Sequence, residues 1–365
     1  ALGYKGKIKM FISFVAISFV IWFFKKFSRE YQEEIKMKIE LVDIPRSYIL
    51  SSVSDSILNL NLKNSSILIY GENGCGKTNI LEAISLLSQG KGLRKASIEN
   101  FLIQEETFND QHKVWGINVD FVGPNGKFNI GTGLYKTSSK NSRIARVNSD
   151  YAPLNSLGKI LNLSWITPQL CVLFLSSMSE KRRFIDRLTS SLDSLHLNRV
   201  YKYEKLLRQR SKILTQLHSD NTWLNTLENQ ISEFSVAITA SRLDMVQELN
   251  DLYNTELIDN YLIDHFPPAE IKLKGKIEEL LTNKPASEVE GYIRDILRKS
   301  RFSEEETIFG PNKTLIEIFN RKNNKNVNSA STGEQKLLLI SIILSHARML
   351  NKNFNMAPIL LLDDI

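Results

Sequence analysis

Residues 71–78 combine glycines with a lysine and a threonine in the spacing G-x-x-x-x-G-K-[ST], which is typical of a phosphate-binding loop. Glycines let backbone N–H groups turn toward phosphate oxygens, and the helix that follows directs its positive end at the same anion. Lys77 is then expected to contact the β- and γ-phosphates, and Thr78 to ligate Mg²⁺. The sequence therefore predicts a site for ATP and Mg²⁺ formed by Gly71, Glu72, Asn73, Gly74, Cys75, Gly76, Lys77 and Thr78.

A second element that could attract an anion lies at residues 331–336. Ser331 is followed three residues later by Glu334, just before the apolar run 337–344, and this is a capping-box pattern. An ordinary helix start has the same pattern. A capped helix N-terminus nevertheless carries partial positive charge, so the pattern is compatible with both a structural and a phosphate-binding role.

A third element is the apolar run 359–362, which ends in Asp363 and Asp364. Four consecutive apolar residues predict a fully buried strand with its carboxylates at the C-terminal edge, where open α/β sheets bind their ligands. Asp363 is predicted to hold Mg²⁺, largely through water. The alternative interpretation is a core strand with a solvated acidic end.

The elements around these motifs predict an α/β protein. The run 67–70 predicts a buried strand entering the phosphate loop, residues 79–87 have helical spacing, and residues 115–121 alternate like a half-buried strand. From about residue 180 to 300 the pattern is helical and charged. We therefore predict an ATPase domain at 37–179 and 301–365, interrupted by a mostly helical arm at 180–300.

The composition of the chain indicates the cellular compartment of this protein. The chain has 365 residues, a formal net charge of +7 and two cysteines. The cysteines, Cys75 and Cys171, are far apart in sequence, which indicates a reducing, cytoplasmic compartment rather than a disulfide framework. Residues 10–24 are apolar apart from Ser13 and Ser18 and are flanked by lysines, but this run is short for a bilayer of about 30 Å. We interpret residues 1–36 as an extension foreign to the fold, with a membrane anchor as the alternative.

Two groups of basic side chains lie in the predicted helical arm. Lys202, Lys205, Arg208 and Lys212 are spaced by three, three and four residues, which places them on one helical face. Lys181, Arg182 and Arg183 form a second cluster. A solvated helix face is the alternative to a DNA-binding surface. Such patches contact phosphates rather than base edges, so the predicted DNA binding is independent of sequence and sensitive to salt.

The three motifs, in this order and with 253 positions between Thr78 and Ser331, resemble the ABC ATPase class and, within it, the RecF family. The resemblance extends from residue 37 to 365. It is carried by residues 73–84, 90–96, 165–169, 181–188, 201–214, 331–336 and 360–364.

This resemblance implies an ABC-type P-loop ATPase head with an inserted arm. It assigns nucleotide contacts to Asn79, Ser331, Gly333 and Gln335, with the last three acting across an ATP-dependent homodimer. It adds Gln169 to the metal site and makes Asp364 the carboxylate that polarises the attacking water. Asp364 is shorter than the usual glutamate, so slow hydrolysis is expected.

The resemblance also implies a role in DNA replication and recombinational repair, on single-stranded and gapped duplex DNA, with mediator proteins of the RecO/RecR type as partners. Residues 310–313 depart from the family's Gly-Pro-His-Arg, because Asn312 and Lys313 replace the last two residues. Lysine lacks the bidentate fork of arginine. The sequence given stops directly after the acidic strand, which puts hydrolysis in doubt. The alternatives are a membrane-anchored ABC-type ATPase that uses residues 8–24, and an inactive truncated remnant.

Overall fold

The computed structural model describes residues 36–42, 57–62, 67–72, 76–94, 115–123, 126–136, 141–215, 221–254, 266–302, 309–356 and 358–363. These residues form two compact units. The first comprises the described parts of Ala1–Pro168 and Phe354–Ile365, and the second those of Gln169–Asn353. The sequence instead predicts domain boundaries at 179/180 and 300/301.

The strands, in chain order, are β1 (Lys36–Val42), β2 (Ile57–Leu62), β3 (Gly116–Gly123), β4 (Gly126–Lys136), β5 (Asn141–Val147), β6 (Asp150–Ala152), β7 (Leu163–Ile166), β8 (Ala269–Lys274), β9 (Leu315–Asn320), β10 (Lys325–Asn326) and β11 (Ile359–Leu362). The helices are α1 (Lys77–Ser85), α2 (Leu157–Ile160), α3 (Pro168–Cys171), α4 (Met178–Leu192), α5 (His196–Leu214), α6 (Asn221–Asp251), α7 (Lys276–Asn283), α8 (Ala286–Lys299) and α9 (Thr332–Phe354).

An antiparallel sheet of six strands, in the order β2-β1-β3-β4-β5-β6, dominates the first unit. The predicted alternation in the third strand is confirmed, because Ile117, Val119 and Phe121 are buried. Gly133 of β4 lies so close to the backbone of Trp115 that a Cβ atom would stand 2.6 Å from the Trp115 carbonyl oxygen. A side chain at this position would therefore separate the two strands.

A smaller parallel pair, β7 and β11, positions the acidic end of the chain. Leu361 pairs with Trp165, and the Asp363 amide donates to the Ile166 carbonyl at 3.0 Å. The predicted terminal strand is confirmed, but the prediction that it is fully buried is wrong. Leu361 is buried, whereas the other three strand residues are only half-buried. Among the described residues β11 has a single neighbouring strand, so its other edge is not paired.

The predicted strand at 67–70 is also wrong. This segment has no regular secondary structure, and the exposed fractions of Leu68 and Tyr70 are 76% and 86%. An apolar run of four residues forms a buried strand only if a neighbouring strand pairs with its backbone N–H and C=O groups. None of the described strands pairs with it.

The second unit is mostly helical, as predicted for the arm. Its core lies between α5, α6, α7 and α8 and is apolar. The buried residues of this core are Tyr203, Leu206, Ile213, Leu224, Leu227, Ile231, Val236, Ile238, Ile277, Val289, Ile293 and Leu297. A three-stranded sheet, β10-β9-β8, and the long helix α9 complete the unit.

Helix α9 is buried along most of its length, including His346. The imidazole Nε2 lies 3.0 Å from the Leu188 carbonyl oxygen, so Nε2 carries the proton of a neutral ring. Burial lowers the pKa of His346 to about 4. A charged imidazole would therefore destabilise this helix.

No helix among the described residues combines the length and apolar character needed to cross a bilayer. The candidate anchor at 8–24, like the whole of residues 1–35, lies outside the part of the chain that the structure describes.

Candidate nucleotide-binding site

The end of the phosphate loop has the geometry that the motif predicts. Gly76 has a φ of 94°, a left-handed conformation that glycine adopts without a steric penalty, and it begins α1 without a capping side chain. The Lys77 ammonium donates to the carbonyls of Gly71 and Glu72 at 2.9 and 2.8 Å, and so turns back over the loop. Asn73, Gly74 and Cys75 lie outside the described residues, and their phosphate contacts stay predictions.

Two of the predicted metal ligands meet in the structure. The Thr78 hydroxyl donates to the Asp363 carboxylate at 2.9 Å, although 285 positions separate them in sequence. Asp363 is buried at the C-terminal end of β11. A hydroxyl and a carboxylate are the hard oxygen donors that Mg²⁺ prefers. The described residues contain no cluster of three or more acidic, His or Cys side chains, so phosphate oxygens and water would complete the coordination of such an ion.

Two residues beside this pair had no role assigned from the sequence. Glu82 lies one turn after Thr78 on α1 and is buried, and its Oε2 is 3.3 Å from Nη1 of Arg94. Desolvation raises the pKa of Glu82, Arg94 opposes that shift, and the charge of Asp363 adds to it. The Arg94 guanidinium also donates to the Asn79 side chain at 2.9 Å. Arg94 is thereby held against the first turns of the phosphate-loop helix.

A third unassigned residue, Arg143 of β5, holds the turn that carries Arg94. Its guanidinium donates to the carbonyls of Leu86, Ser88 and Gly90, and its Nε donates to Thr132 at 2.8 Å. Burial lowers the pKa of Arg143 to about 10, so the side chain remains charged at neutral pH. The only sequence signal for this contact was an arginine in an otherwise ordinary strand.

The second anion-attracting element is a capped helix start, as predicted. The Ser331 amide donates to the Glu334 carboxylate at 2.7 Å, and the Glu334 amide donates to the Ser331 hydroxyl at 3.3 Å. These bonds lower the pKa of Glu334. Ser331 and Gly333 are exposed at the start of α9. Gln335 is buried, and its amide donates to the carbonyls of Val327 and Ala330 at 3.1 and 3.2 Å.

The remaining predicted site residues are placed as follows. Gln169 is exposed in α3 and belongs to the second unit, and Asp364 lies outside the described residues. Their roles stay predictions. Arg182 is half-buried and donates to the Thr314 carbonyl at 3.0 Å, whereas Arg183 is exposed and pairs with Glu180 at 2.5 Å. Lys202, Lys205, Arg208 and Lys212 are all exposed on α5.

Comparison with known proteins identifies the family. Residues 50–365 match the family described as RecF/RecN/SMC N terminal domain. The DNA replication and repair protein RecF of Mesorhizobium japonicum is 35% identical over 312 residues, which cover 84% of this chain and 80% of that protein. The protein of the same name from Brucella suis is 33% identical over 341 residues, with 92% and 86% covered.

The chain belongs to the RecF family. A solved structure of the recombination mediator protein RecF-ATPrS in the RecFOR pathway matches the fold with a TM-score of 0.75 at 18% identity, covering 91% of this chain and 86% of that one. A second, of RecF-ATP, matches with a TM-score of 0.70. The predicted ABC-type ATPase head with a mostly helical insertion is thereby confirmed, and so is the predicted membership of a family of DNA replication and repair proteins.

The family motif at 310–313 has a structural role in this chain. A Cβ atom on Gly310, whose φ is 133°, would lie 2.5 Å from the Tyr203 hydroxyl. That hydroxyl donates to the Asn312 side chain at 3.1 Å, and Arg242 donates to the Pro311 carbonyl at 2.6 Å. Asn312 therefore helps to fix the loop even though it departs from the family pattern.

Proposed function

We propose that this RecF-family chain binds ATP with Mg²⁺ at its phosphate loop, forms an ATP-dependent homodimer, and binds DNA during replication and recombinational repair. The observation that carries the proposal is the contact between Thr78 and Asp363. It brings the hydroxyl of the phosphate loop and the carboxylate of the acidic strand to one place, beside the positive end of α1.

The residues of the site have separate roles in this proposal. Lys77 leaves its two carbonyl partners to contact the β- and γ-phosphates, Thr78 and Asp363 hold the metal, and Asp364 orients the attacking water. A bound Mg²⁺ would supply positive charge that stabilises the phosphates during hydrolysis. The solved structures of RecF with ATP or ATPrS support the choice of ATP, and the relatives named DNA replication and repair protein RecF support the choice of DNA. Binding to RecO/RecR-type mediator proteins is proposed from the same relationship, as is residence in the cytoplasm.

The nucleotide part is tested by Lys77→Ala. Removing the cation that faces the phosphates should lower ATP affinity at least about 100-fold, since a hydrogen bond to a charged group and a charge interaction are lost together. Equilibrium ATP binding is measured by calorimetry in the presence of Mg²⁺. Lys127→Ala, at an exposed lysine of β4, is the matched control. Equal ATP affinity in the two variants would remove the phosphate-loop assignment.

The DNA part is tested by reversing charge at Lys205 and Arg208 together. Each lost phosphate contact should reduce the slope of log affinity against log salt by about 0.7 to 0.9, so the double variant should lose about 1.4 to 1.8. The change should be similar for unrelated DNA sequences, because phosphates carry no sequence information. Affinity is measured by fluorescence anisotropy over a series of salt concentrations.

The control variant reverses the charges of Arg298 and Lys299, two adjacent exposed residues of α8 in the same unit. If the α5 double variant keeps the salt slope of the wild type, DNA is bound by another surface.

A further inference from the structure

One exposed face of α5 combines an aromatic ring with cations. We name as the α5 stripe the residues Tyr201, Lys205, Arg208 and Lys212, whose spacing of four, three and four places them on a single helical face. All four are exposed, and the exposed fraction of Tyr201 is 62%. The opposite face of α5 is buried in the core of the unit through Tyr203, Leu206 and Ile213.

The two tyrosines of this helix have different environments. Tyr203 is packed in the core, and its hydroxyl is bonded to Asn312. Tyr201 extends into solvent beside the cations and is not part of that core. A single exposed tyrosine is common on protein surfaces. Tyr201 differs from such residues because basic side chains lie on the same helical face. Its ring lies one helical turn before Lys205 and two before Arg208.

The cations of the stripe are available to an external anion. The ion pairs found among the described residues involve neither Lys205, Arg208 nor Lys212. Arg210 shows the contrast, since this arginine turns to the buried face and pairs with Glu228 at 2.9 Å. The helix therefore separates one internally neutralised arginine from a row of cations facing water.

We propose that the α5 stripe binds single-stranded nucleic acid, with an unpaired base stacked on the ring of Tyr201 and the neighbouring phosphates on Lys205, Arg208 and Lys212. This inference rests on the proposed DNA-binding function of the same helix face, and it adds a base contact that the cations alone cannot provide. Aromatic side chains stack on any base, so the contact would not select a sequence.

The chemistry favours an unpaired strand over the alternatives. In a duplex the faces of the bases are covered by their neighbours, so Tyr201 could contribute little to binding. The carboxylates of an acidic peptide could pair with the cations, but they would make no stacking contact with the exposed ring of Tyr201. From Tyr201 to Lys212 the stripe is about 16 Å long at the rise of an α-helix, which matches about four or five stacked nucleotides.

The test compares two probes that differ only in their bases. One is an oligothymidine of about 20 nucleotides, long enough to cover the stripe several times over, and the other is an abasic strand with the same number of phosphates. Tyr201→Ala should weaken binding of the oligothymidine by about fivefold or more, the loss of one stacked base, and leave binding of the abasic strand unchanged. Tyr201→Phe keeps the ring and should bind both probes like the wild type.

Two further variants separate the possible outcomes. Lys205→Ala should weaken both probes, because both carry the phosphates that it contacts. Tyr151→Ala, which removes an exposed tyrosine of β6 in the first unit, should change neither. Thermal unfolding of each variant, followed by circular dichroism, confirms that the fold is kept.

The inference is overturned if Tyr201→Ala binds the oligothymidine like the wild type, or if it weakens both probes equally. If Lys205→Ala also has no effect on either probe, the proposed DNA-binding face fails as well. If Lys205→Ala alone weakens binding, only the stacking contact is wrong. A polyglutamate peptide that binds in a Lys205-dependent way, while neither strand binds, would instead identify the stripe as a site for acidic proteins.

Discussion

At the scale of single residues, buried charge is compensated by specific partners. Asp186 of α4 accepts hydrogen bonds from His196 at 2.7 Å and from Arg242 at 2.7 and 2.9 Å. Burial by itself raises the pKa of Asp186, but His196 and Arg242 together outweigh it and hold that pKa below its ordinary value. Arg242 also donates a hydrogen bond to the Pro311 carbonyl, so the Asp186 carboxylate, through Arg242, helps to fix the loop that carries the family motif.

Replacing Asp186 with Asn should therefore lower the free energy of unfolding by about 3 kcal/mol at neutral pH, because the charge of Arg242 stays buried without its partner. A depressed pKa stabilises the fold above the unfolded value of about 3.9, and that contribution is lost as pH falls through the folded value. The difference from wild type should then shrink below about pH 4.

Urea unfolding over this pH range measures the effect, with Asp295→Asn at an exposed position of α8 as the control. A difference from wild type that stays constant down to the acid end, or none at neutral pH, would contradict the assignment of this stabilisation to the Asp186 charge.

At the scale of elements, one strand of the antiparallel sheet holds the turn after the phosphate-loop helix. Arg143 donates hydrogen bonds to three carbonyls of this turn, and the Ser85 hydroxyl accepts a hydrogen bond from the Leu93 amide at 2.7 Å. The chain is thus folded back so that Arg94 reaches Asn79 and Glu82. The C-terminal end of α1 carries partial negative charge, which also attracts the guanidinium of Arg143.

Arg143→Met should keep the packing of the side chain but leave the half-buried carbonyls of Leu86 and Ser88, and the exposed carbonyl of Gly90, without this donor. We expect a loss of about 2 kcal/mol or more in the free energy of unfolding. Arg143→Lys should lose less, since it retains the charge but has fewer directed donors. Arg146→Met, three residues along the same strand at an exposed position, is the matched control. Equal stability of the two methionine variants would show that the carbonyl contacts contribute nothing.

At the scale of the whole molecule, the nucleotide motifs are divided between the two compact units. Lys77, Thr78 and Asp363 belong to the first unit, whereas Ser331 and Gly333 belong to the second. By relationship to the ABC class, we propose that Ser331 of one subunit contacts the γ-phosphate held by the other. ATP would then join two subunits, and slow hydrolysis would time their separation.

Ser331→Arg places a bulky cation where the γ-phosphate would be contacted, and it also breaks the capping box. This variant should bind ATP as a monomer, whereas the wild type should become dimeric on addition of ATP. Light scattering with and without the nucleotide measures the mass directly. Ser287→Arg, at an exposed serine in the first turn of α8, should dimerise like the wild type. A wild type that stays monomeric at saturating ATP would contradict the trans arrangement.

The sequence by itself determined the local features of this protein. Each of these features depends on a pattern that is visible within about a dozen neighbouring residues. They are the phosphate loop, the capping box at Ser331, the alternation in β3 and the helical spacing of apolar residues in the arm. Backbone dihedral preferences and hydrogen bonds between near neighbours decide such features, so a single sequence is enough to predict them. The motif order and the family followed from these patterns.

Only the tertiary structure decided which side chains meet across long separations. The meeting of Asp363 with Thr78 was already expected from the predicted metal site. The structure alone placed Arg143 against the turn after α1, and it placed Arg208 on the exposed face and Arg210 on the buried face of one helix. The same dependence explains the wrong prediction at 67–70, because an apolar run becomes a buried strand only when another strand lies beside it. Pairing and burial depend on which distant element packs against a residue, and that information is not contained in the residue's own neighbours.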